Sequence, residues 1–253
     1  MKGVYFLFNW MSSIGIGAAT VDTHLERDQY APGDIATGEV VIKGGVGTQV
    51  FSHIELQLML EYHLEGEMKN KTYQTETFQI SGPIEIRQHE IKKIPFQLTL
   101  PDMLPMSTGH FPIYIRTVLD AKFAVDPKDE DRITILPAKL VQHILKVIED
   151  AGFILYKIEN LELVEKPKDG IPFMQIFVFR PTGSNHGVID EYSVVFTHTA
   201  TSFKMEMEIL RAEQALQSTF EWNHRDPEST FRINGNPAEG NPFEKLRTLL
   251  KRK

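Results

Sequence analysis

The sequence predicts an all-β protein: two tandem antiparallel β-sandwich domains joined by a short amphipathic helix. Three observations lead there. Ile54 to Glu65 alternates apolar and polar residues, with Ile54, Leu56, Leu58, Leu60, Tyr62 and Leu64 against Glu55, Gln57, Met59, Glu61, His63 and Glu65. Period-two alternation over that length is the mark of a half-buried strand in an antiparallel sheet. Many short strand-like runs separated by turn residues fill both halves of the chain, which argues for sandwiches and against alternating βα units. A single strong helical periodicity lies between them. The 253 residues are enough for two small domains, each with its own core.

Taken in order, Ala18 to Tyr30 alternates moderately, with Val21, Thr23 and Leu25 on one face. Pro32-Gly33-Asp34 is a turn, because Pro fixes φ and Gly tolerates positive φ. Gly38 to Lys43 continues as a strand, and Gly44, Gly45 and Gly47 mark a reversal. After Ile54 to Glu65 come Thr72 to Ile80, Ile84 to Ile91 and Ile94 to Leu100, broken by Pro101 and Pro105; Ile113 to Val125 and Arg132 to Leu136 end the first half. Pro137 then opens a helix whose Leu140, Val141, Ile144, Leu145, Ile148 and Ala151 follow helical spacing, with Gly152 as its stop. Strands resume at Phe153 to Val164, Phe173 to Arg180, Val188 to Thr197 and Ser202 to Leu210. Gly235 to Asn241 reads as a loop, and Pro242 to Lys253 as a short basic helix. The expected organisation is an apolar N-terminal helix over 1–17, a sandwich over 18–136, the connecting helix over 137–152 and a second sandwich with a basic tail over 153–253.

Composition bounds the function. Hydrophobic residues make up 42% and charged residues 24%, as in ordinary globular proteins. There are no cysteines, which removes disulfides, thiolate zinc sites and cysteine nucleophiles, and suits a reducing cytosol. A net charge of −7 gives no general attraction for nucleic acid. No run approaches the roughly 20 apolar residues that span a bilayer. Lys2 followed by the apolar run Val4 to Met11 has the outline of a weak signal peptide, but its positive region is one lysine and Asn9 interrupts it. The expected location is the cytoplasm, with peripheral membrane contact left open.

Several segments carry a family resemblance. Tyr30-x-Pro32-Gly33-Asp34 followed by Gly38-x-Val40-x-Ile42, then Ile94-Pro95-Phe96 with Leu98, Leu100-Pro101 and Pro105, resembles the landmarks of arrestin-like, immunoglobulin-like sandwich domains in their order. The chain is more closely similar to the SpoOM family of sporulation-control proteins. That likeness rests on Ile14-Gly15-Ile16-Gly17-Ala18-Ala19-x-Val21-Asp22-Thr23, the Tyr30 to Asp34 turn, Asp120 with Asp126-Pro127-x-Asp129-x-Asp131, and Ala151-Gly152-Phe153. Pro172-Phe173-x-Gln175-x-Phe177 with Phe179-x-Pro181 extends it into the second half; beyond about residue 210 no motif carries over. The resemblance implies two arrestin-like domains, a regulatory role in sporulation exerted through protein–protein contacts, and no catalytic residues or cofactors. Its partners would be other proteins of sporulation or cell-division control. Where the family places lysines among the aromatics before Ile14, this chain has Tyr5, Phe6, Leu7, Phe8, Asn9 and Trp10.

The residues offer few catalytic or ligand-binding candidates. Asp126, Asp129 and Asp131, with Asp120 and Glu130 nearby, form an acidic cluster of the oxygen-rich kind that can hold Ca²⁺. The spacing is not that of an EF-hand, and a hairpin turn with Asp side chains on nearby backbone N–H groups is the simpler reading. The nine histidines are scattered without zinc spacing. No nucleophile elbow or phosphate loop is present, and Gly44-Gly45-Val46-Gly47 joins two strands rather than opening a helix. The expectation is a protein without catalysis, metal or cofactor.

Both termini are candidate contact surfaces. On a helix, Val4, Leu7, Phe8, Met11 and Ile14 share a face, and Phe6 and Trp10 make the other side nearly as apolar, so the segment packs on the sandwich, in a partner groove or at a membrane interface. At the other end Lys245, Arg247, Lys251, Arg252 and Lys253 stand against Glu244, beside a stripe of Phe243, Leu246, Leu249 and Leu250. A basic amphipathic helix of this kind suits an anionic lipid or protein surface. Phe6, Trp10, Lys251 and Arg252 are the interaction candidates, with self-association left open. The rival readings are a ligand- or carbohydrate-binding sandwich, which would present a row of exposed aromatics, and a hydrolase, which would need converging titratable groups in a cleft.

Overall fold

A computed structural model describes residues 17–121, 127–165, 167, 170–183, 191–198, 202–211, 214–223 and 226–251, the side chains of 198, 211, 214 and 226–230 excepted. Among the described residues the first half contains nine strands: β1 Thr20–Leu25, β2 Gln29–Tyr30, β3 Ile35–Lys43, β4 Gln49–Tyr62, β5 Lys71–Ser81, β6 Ile84–Ile86, β7 Ile91–Thr99, β8 Ile113–Ala121 and β9 Lys128–Ile135. They form a three-stranded sheet in the order β1-β3-β7 and a larger one in the order β2-β9-β8-β4-β5, with β6 paired to β4. Pairing is antiparallel except between the two-residue β2 and β9. The two sheets enclose one core, to which Val40 and Ile42 of β3, Phe96 and Leu98 of β7, and Ile133 and Ile135 of β9 contribute.

The alternation in β4 is realised: Ile54, Leu56, Leu58, Leu60 and Tyr62 all point inward and are buried. The strand starts earlier than expected, at Gln49, and ends at Tyr62, so Leu64 lies beyond it. Met59, on the polar side of the alternation, is buried as well. Ile84 to Ile91 is not one strand. The chain turns between β6 and β7, with His89 in the left-handed region at φ 57°, a conformation histidine tolerates better than most residues. The Glu90 N–H bonds the Arg87 carbonyl at 3.0 Å, and the Glu90 carboxylate accepts the Arg87 N–H at 2.7 Å. The Pro32 turn is closed twice by Asp34: its N–H bonds the Ala31 carbonyl, and its Oδ2 accepts the Ala31 N–H at 2.9 Å.

The connecting helix, α1, spans Lys139–Asp150 and buries Val141, Ile144, Val147 and Ile148. It is shorter than 137–152. Ala138 is its N-cap, so Pro137 lies outside the first helical position, where its carbonyl accepts a bond from the Gln142 side chain. Gly152 takes φ 93° just past the C-cap, Ala151, which is where a helix needs a residue without Cβ.

Among the described residues the second half is a meander of seven antiparallel strands hydrogen-bonded in sequence order: β10 Phe153–Glu162, β11 Phe173–Pro181, β12 Glu191–His198, β13 Ser202–Arg211, β14 Gln214–Asn223, β15 Asp226–Ile233 and β16 Asn236–Ala238. Helix α2, Pro242–Lys251, follows. A second core gathers Phe179, Tyr192, Met205, Phe220 and Trp222 from this sheet with the buried faces of α1 and α2. The region read as a loop from Gly235 to Asn241 therefore holds β16. Asn234 and Gly235 both adopt positive φ, 51° and 79°, the Asn-Gly hairpin that a right-handed strand twist favours.

Candidate interaction sites

The two cores meet along a polar seam. Asn160 on β10 is buried; its Nδ2 donates to the Glu61 carbonyl at 2.8 Å and its Oδ1 accepts from Gln175 Nε2 at 2.9 Å. The same Gln175 amide grips the backbone of Met106, accepting its N–H at 2.9 Å and donating to its carbonyl at 2.8 Å. Backbone bonds reinforce this: the His63 N–H to the Asn160 carbonyl and the Glu162 N–H to the His63 carbonyl, both 2.9 Å. Around them Tyr62 stacks on Phe173 at 5.3 Å, Lys71 pairs with Glu162 at 2.8 Å, and the Tyr73 hydroxyl donates to the Gly170 carbonyl. Phe173 belongs to the first core although it sits on β11. The buried Asn160 amide and the half-buried Gln175 amide favour one arrangement, because a shift leaves their donors and acceptors unpaired in low dielectric.

The acidic cluster is dispersed by the fold. Asp126 lies outside the described residues. Asp129 and Asp131 sit on strand β9 rather than in a turn, and they face the same way as the buried Ile133 and Ile135. Asp129 Oδ2 accepts the Thr23 N–H of β1 at 2.7 Å, a contact between strands far apart in sequence rather than a local turn bond. Beside it the Thr23 and Thr117 hydroxyls share a buried bond of 2.6 Å. Asp131 Oδ2 is buried beside the Asp129 carboxylate, where it finds no N–H donor and bonds only through a proton shared with Asp129. Burial pushes the Asp131 carboxyl up to about 8, and the charges of Asp129 and Asp22 push the same way; burial also raises Asp129. Glu130 points outward to Arg116 at 2.8 Å, and Asp120 turns to His53. Among the described residues no three acidic or histidine side chains converge on a point where a metal ion could sit.

The tail read as a basic amphipathic helix is helical, over Pro242–Lys251. Its stripe faces the chain's own core: Phe243, Leu246 and Leu250 are buried, and the Phe243 ring stacks on His143 of α1 at 3.9 Å. Asn241 caps the helix, its Oδ1 accepting the N–H groups of Phe243 and Glu244, and Pro242 follows in the first helical position. Lys251 remains exposed in the last turn, where a cation complements the helix dipole. Arg252, Phe6 and Trp10 lie outside the described residues. No helix among the described residues is long and apolar enough to cross a membrane.

The model of the SpoOM protein family matches residues 7–213 of this sequence. The chain belongs to the SpoOM family. The sporulation-control protein Spo0M of Bacillus subtilis strain 168 is 31% identical over 242 residues, which cover 94% of this chain and 93% of that protein. The crystal structure of Spo0M from Bacillus subtilis superimposes with a TM-score of 0.75 at 28% identity, covering 93% of this chain and 97% of that one. The all-β class expected from the sequence is observed, as several antiparallel sheets, and the fold matches that structure.

The family motifs acquire physical roles. In Pro172-Phe173-x-Gln175-x-Phe177, Phe173 stacks into the first core, Gln175 latches the seam and Phe177 enters the second core. Asp129 ties β9 to the edge strand β1 through the Thr23 N–H. Sequence reasoning missed Asn160 and Gln175 as a pair, because polar residues in alternating strands read as solvent-facing.

One apolar surface was not anticipated. Strand β10 is the edge of its sheet, and among the described residues no strand pairs with its outer side from Phe153 to Glu159. A bulge between Leu155 and Lys157 breaks the alternation. Three successive apolar side chains are left exposed there: Ile154 at 55%, Leu155 at 36% and Tyr156 at 51%. The Arg180 guanidinium lies over the Tyr156 ring, 3.4 Å from its centre.

Proposed function

We propose that the chain is a non-catalytic regulatory adaptor in the control of sporulation, acting by docking other proteins in the cytoplasm. Its family membership and the sporulation-control role in the name of its Bacillus subtilis relative support the biological setting. The observation that carries the docking mechanism is the open edge of β10 with Ile154, Leu155 and Tyr156 side by side. Unpaired backbone groups and apolar side chains on one strand are what an added strand from a partner needs. The latched seam holds that edge in fixed relation to the first sandwich.

The test is genetic and structural together. Deleting the gene in its own host should change sporulation frequency, and the wild-type gene should restore it. A Leu155→Lys, Tyr156→Lys copy should not restore it, while the purified variant keeps the wild-type circular dichroism spectrum and thermal midpoint. Full restoration by that copy would remove the β10 edge from the mechanism. Unchanged sporulation after deletion would remove the role itself.

A further inference from the structure

We infer that a cleft along the seam is the docking site for a cationic amphipathic peptide of a partner protein. The inference rests on the adaptor reading and adds the chemistry of the segment the adaptor takes. The cleft, about 600 Å³, opens where the loop between β7 and β8 meets the start of α1 and strands β11, β12 and β13. Volumes of this order accommodate a drug-sized ligand or a few large side chains.

Its walls are soft and apolar. Met103, Met106 and Met174 line it, and Met103 is more than half exposed. Thioether side chains adapt to varied apolar shapes, so a methionine-lined cleft accepts different large side chains rather than one. Phe196 forms the opposite wall, braced edge-on by Phe177 at 5.3 Å and stacked on Phe203 at 5.5 Å. The floor offers little polar recognition, because the Gln175 amide that reaches it is already bonded to Met106 and Asn160. Specificity must then come from shape and from charge at the mouth. Among the described lining residues the charged ones are Asp102 and Glu206, both exposed and both acidic; Glu206 already pairs with Lys204 at 2.5 Å, so Asp102 supplies most of the attraction. An apolar segment flanked by lysine or arginine complements that arrangement; an acidic one would be repelled. A segment seated there touches both halves of the protein at their junction.

The experiment uses the full chain and a short fluorescein-labelled peptide of leucine and lysine with leucines at helical spacing, beside a twin in which glutamate replaces lysine. Fluorescence anisotropy at physiological salt should show the lysine peptide binding at least about tenfold more tightly than the glutamate twin. Met103→Arg should weaken the lysine peptide by about tenfold, and Asp102→Lys with Glu206→Lys should reverse the preference. Glu65→Lys, an exposed charge reversal that lies outside the cleft lining, should leave binding unchanged. Equal loss in Glu65→Lys would mean attraction to the acidic protein as a whole and would overturn the site. So would preference for the glutamate twin. Failure of this binding with sporulation still dependent on the β10 edge would reject the cleft and leave the adaptor reading standing.

Discussion

Gln175 and Asn160 face each other across adjacent strands, and through them the first sandwich is tied to the second: the Gln175 Nε2 donates to Asn160 Oδ1 at 2.9 Å, while Asn160 Nδ2 donates to the Glu61 carbonyl. The pair converts a contact between two cores into a specified geometry. Two halves joined by one helix would otherwise be free to move relative to each other, which is the default expectation for small interfaces within a chain.

Gln175→Leu keeps the volume and removes the amide. It leaves the Met106 N–H and carbonyl and the Asn160 Oδ1 without their partner in a part-buried seam. The expected cost is about 2–3 kcal/mol in urea unfolding, set by the unpaired groups rather than by the lost bonds. A loss within about 0.5 kcal/mol, the scale of a surface substitution, would show that the amide is not a latch.

The carboxyl pair on β9 predicts a pH signature. The folded Asp131 carboxyl is raised from 3.8 to about 8, first by burial and then by the Asp129 charge. A raised carboxyl means that the folded chain binds a proton the unfolded chain has already released. Its burden on stability is absent below about pH 4, grows as pH rises, and levels off above about pH 8. Asp131→Asn removes the titration and presents an amide that donates to Asp129 as the protonated acid does. The stability gain of the variant over wild type should therefore be small at pH 5 and reach a few kcal/mol at pH 9. Chemical denaturation at the two pH values checks it; a gain independent of pH would refute the shared proton.

The tail prediction follows from burial. Leu246 is fully buried under α1 and the second sheet, so Leu246→Ala should cost about 2–5 kcal/mol. Asn241→Ala removes the cap that bonds Phe243 and Glu244 and should cost about 1 kcal/mol. Lys251→Glu, on the exposed side, should stay within about 0.5 kcal/mol. Thermal unfolding ranks the three; a silent Leu246→Ala would restore the tail to the role of a free amphipathic helix.

What the sequence made legible was what repeats along one element. The inward face of β4 and the buried face of α1 stand out because Ile54 to Tyr62 repeats every two residues and Val141 to Ile148 follows the helical turn. Strand β14 was hidden because Gln217, Ser218 and Thr219 interrupt its apolar residues, leaving Phe220 and Trp222 as an isolated pair. The hairpin at Asn234-Gly235 carries a recognisable Asn-Gly signal, yet Gly235 to Asn241 reads from composition only as loop. The stripe of α2 was read, but an amphipathic helix looks the same in sequence whether its apolar face meets a membrane or its own α1. Asn160, Gln175 and the Asp129 bond to Thr23 depend on contacts between distant segments, which no local pattern records.

Gly38 gives the last prediction and joins two family landmarks into one device. It pairs with Leu25 on one side and with Phe96 on the other, in the middle of the three-stranded sheet. A Cβ at position 38 would stand 2.3 Å from the His24 carbonyl oxygen and 2.8 Å from the edge of the Phe96 ring. The glycine of Gly38-x-Val40-x-Ile42 and the phenylalanine of Ile94-Pro95-Phe96 are thus complementary: the ring lies in the space the missing side chain leaves. Gly38→Ala should destabilise the chain by about 1–3 kcal/mol through overpacking, although alanine is ordinarily no worse than glycine in a strand. Phe96→Leu should recover part of that loss when combined with Gly38→Ala, because it relieves the ring contact but not the contact with the His24 carbonyl. A double-mutant cycle in urea reads the coupling directly. Strictly additive losses would show that the two residues occupy neighbouring positions without depending on each other.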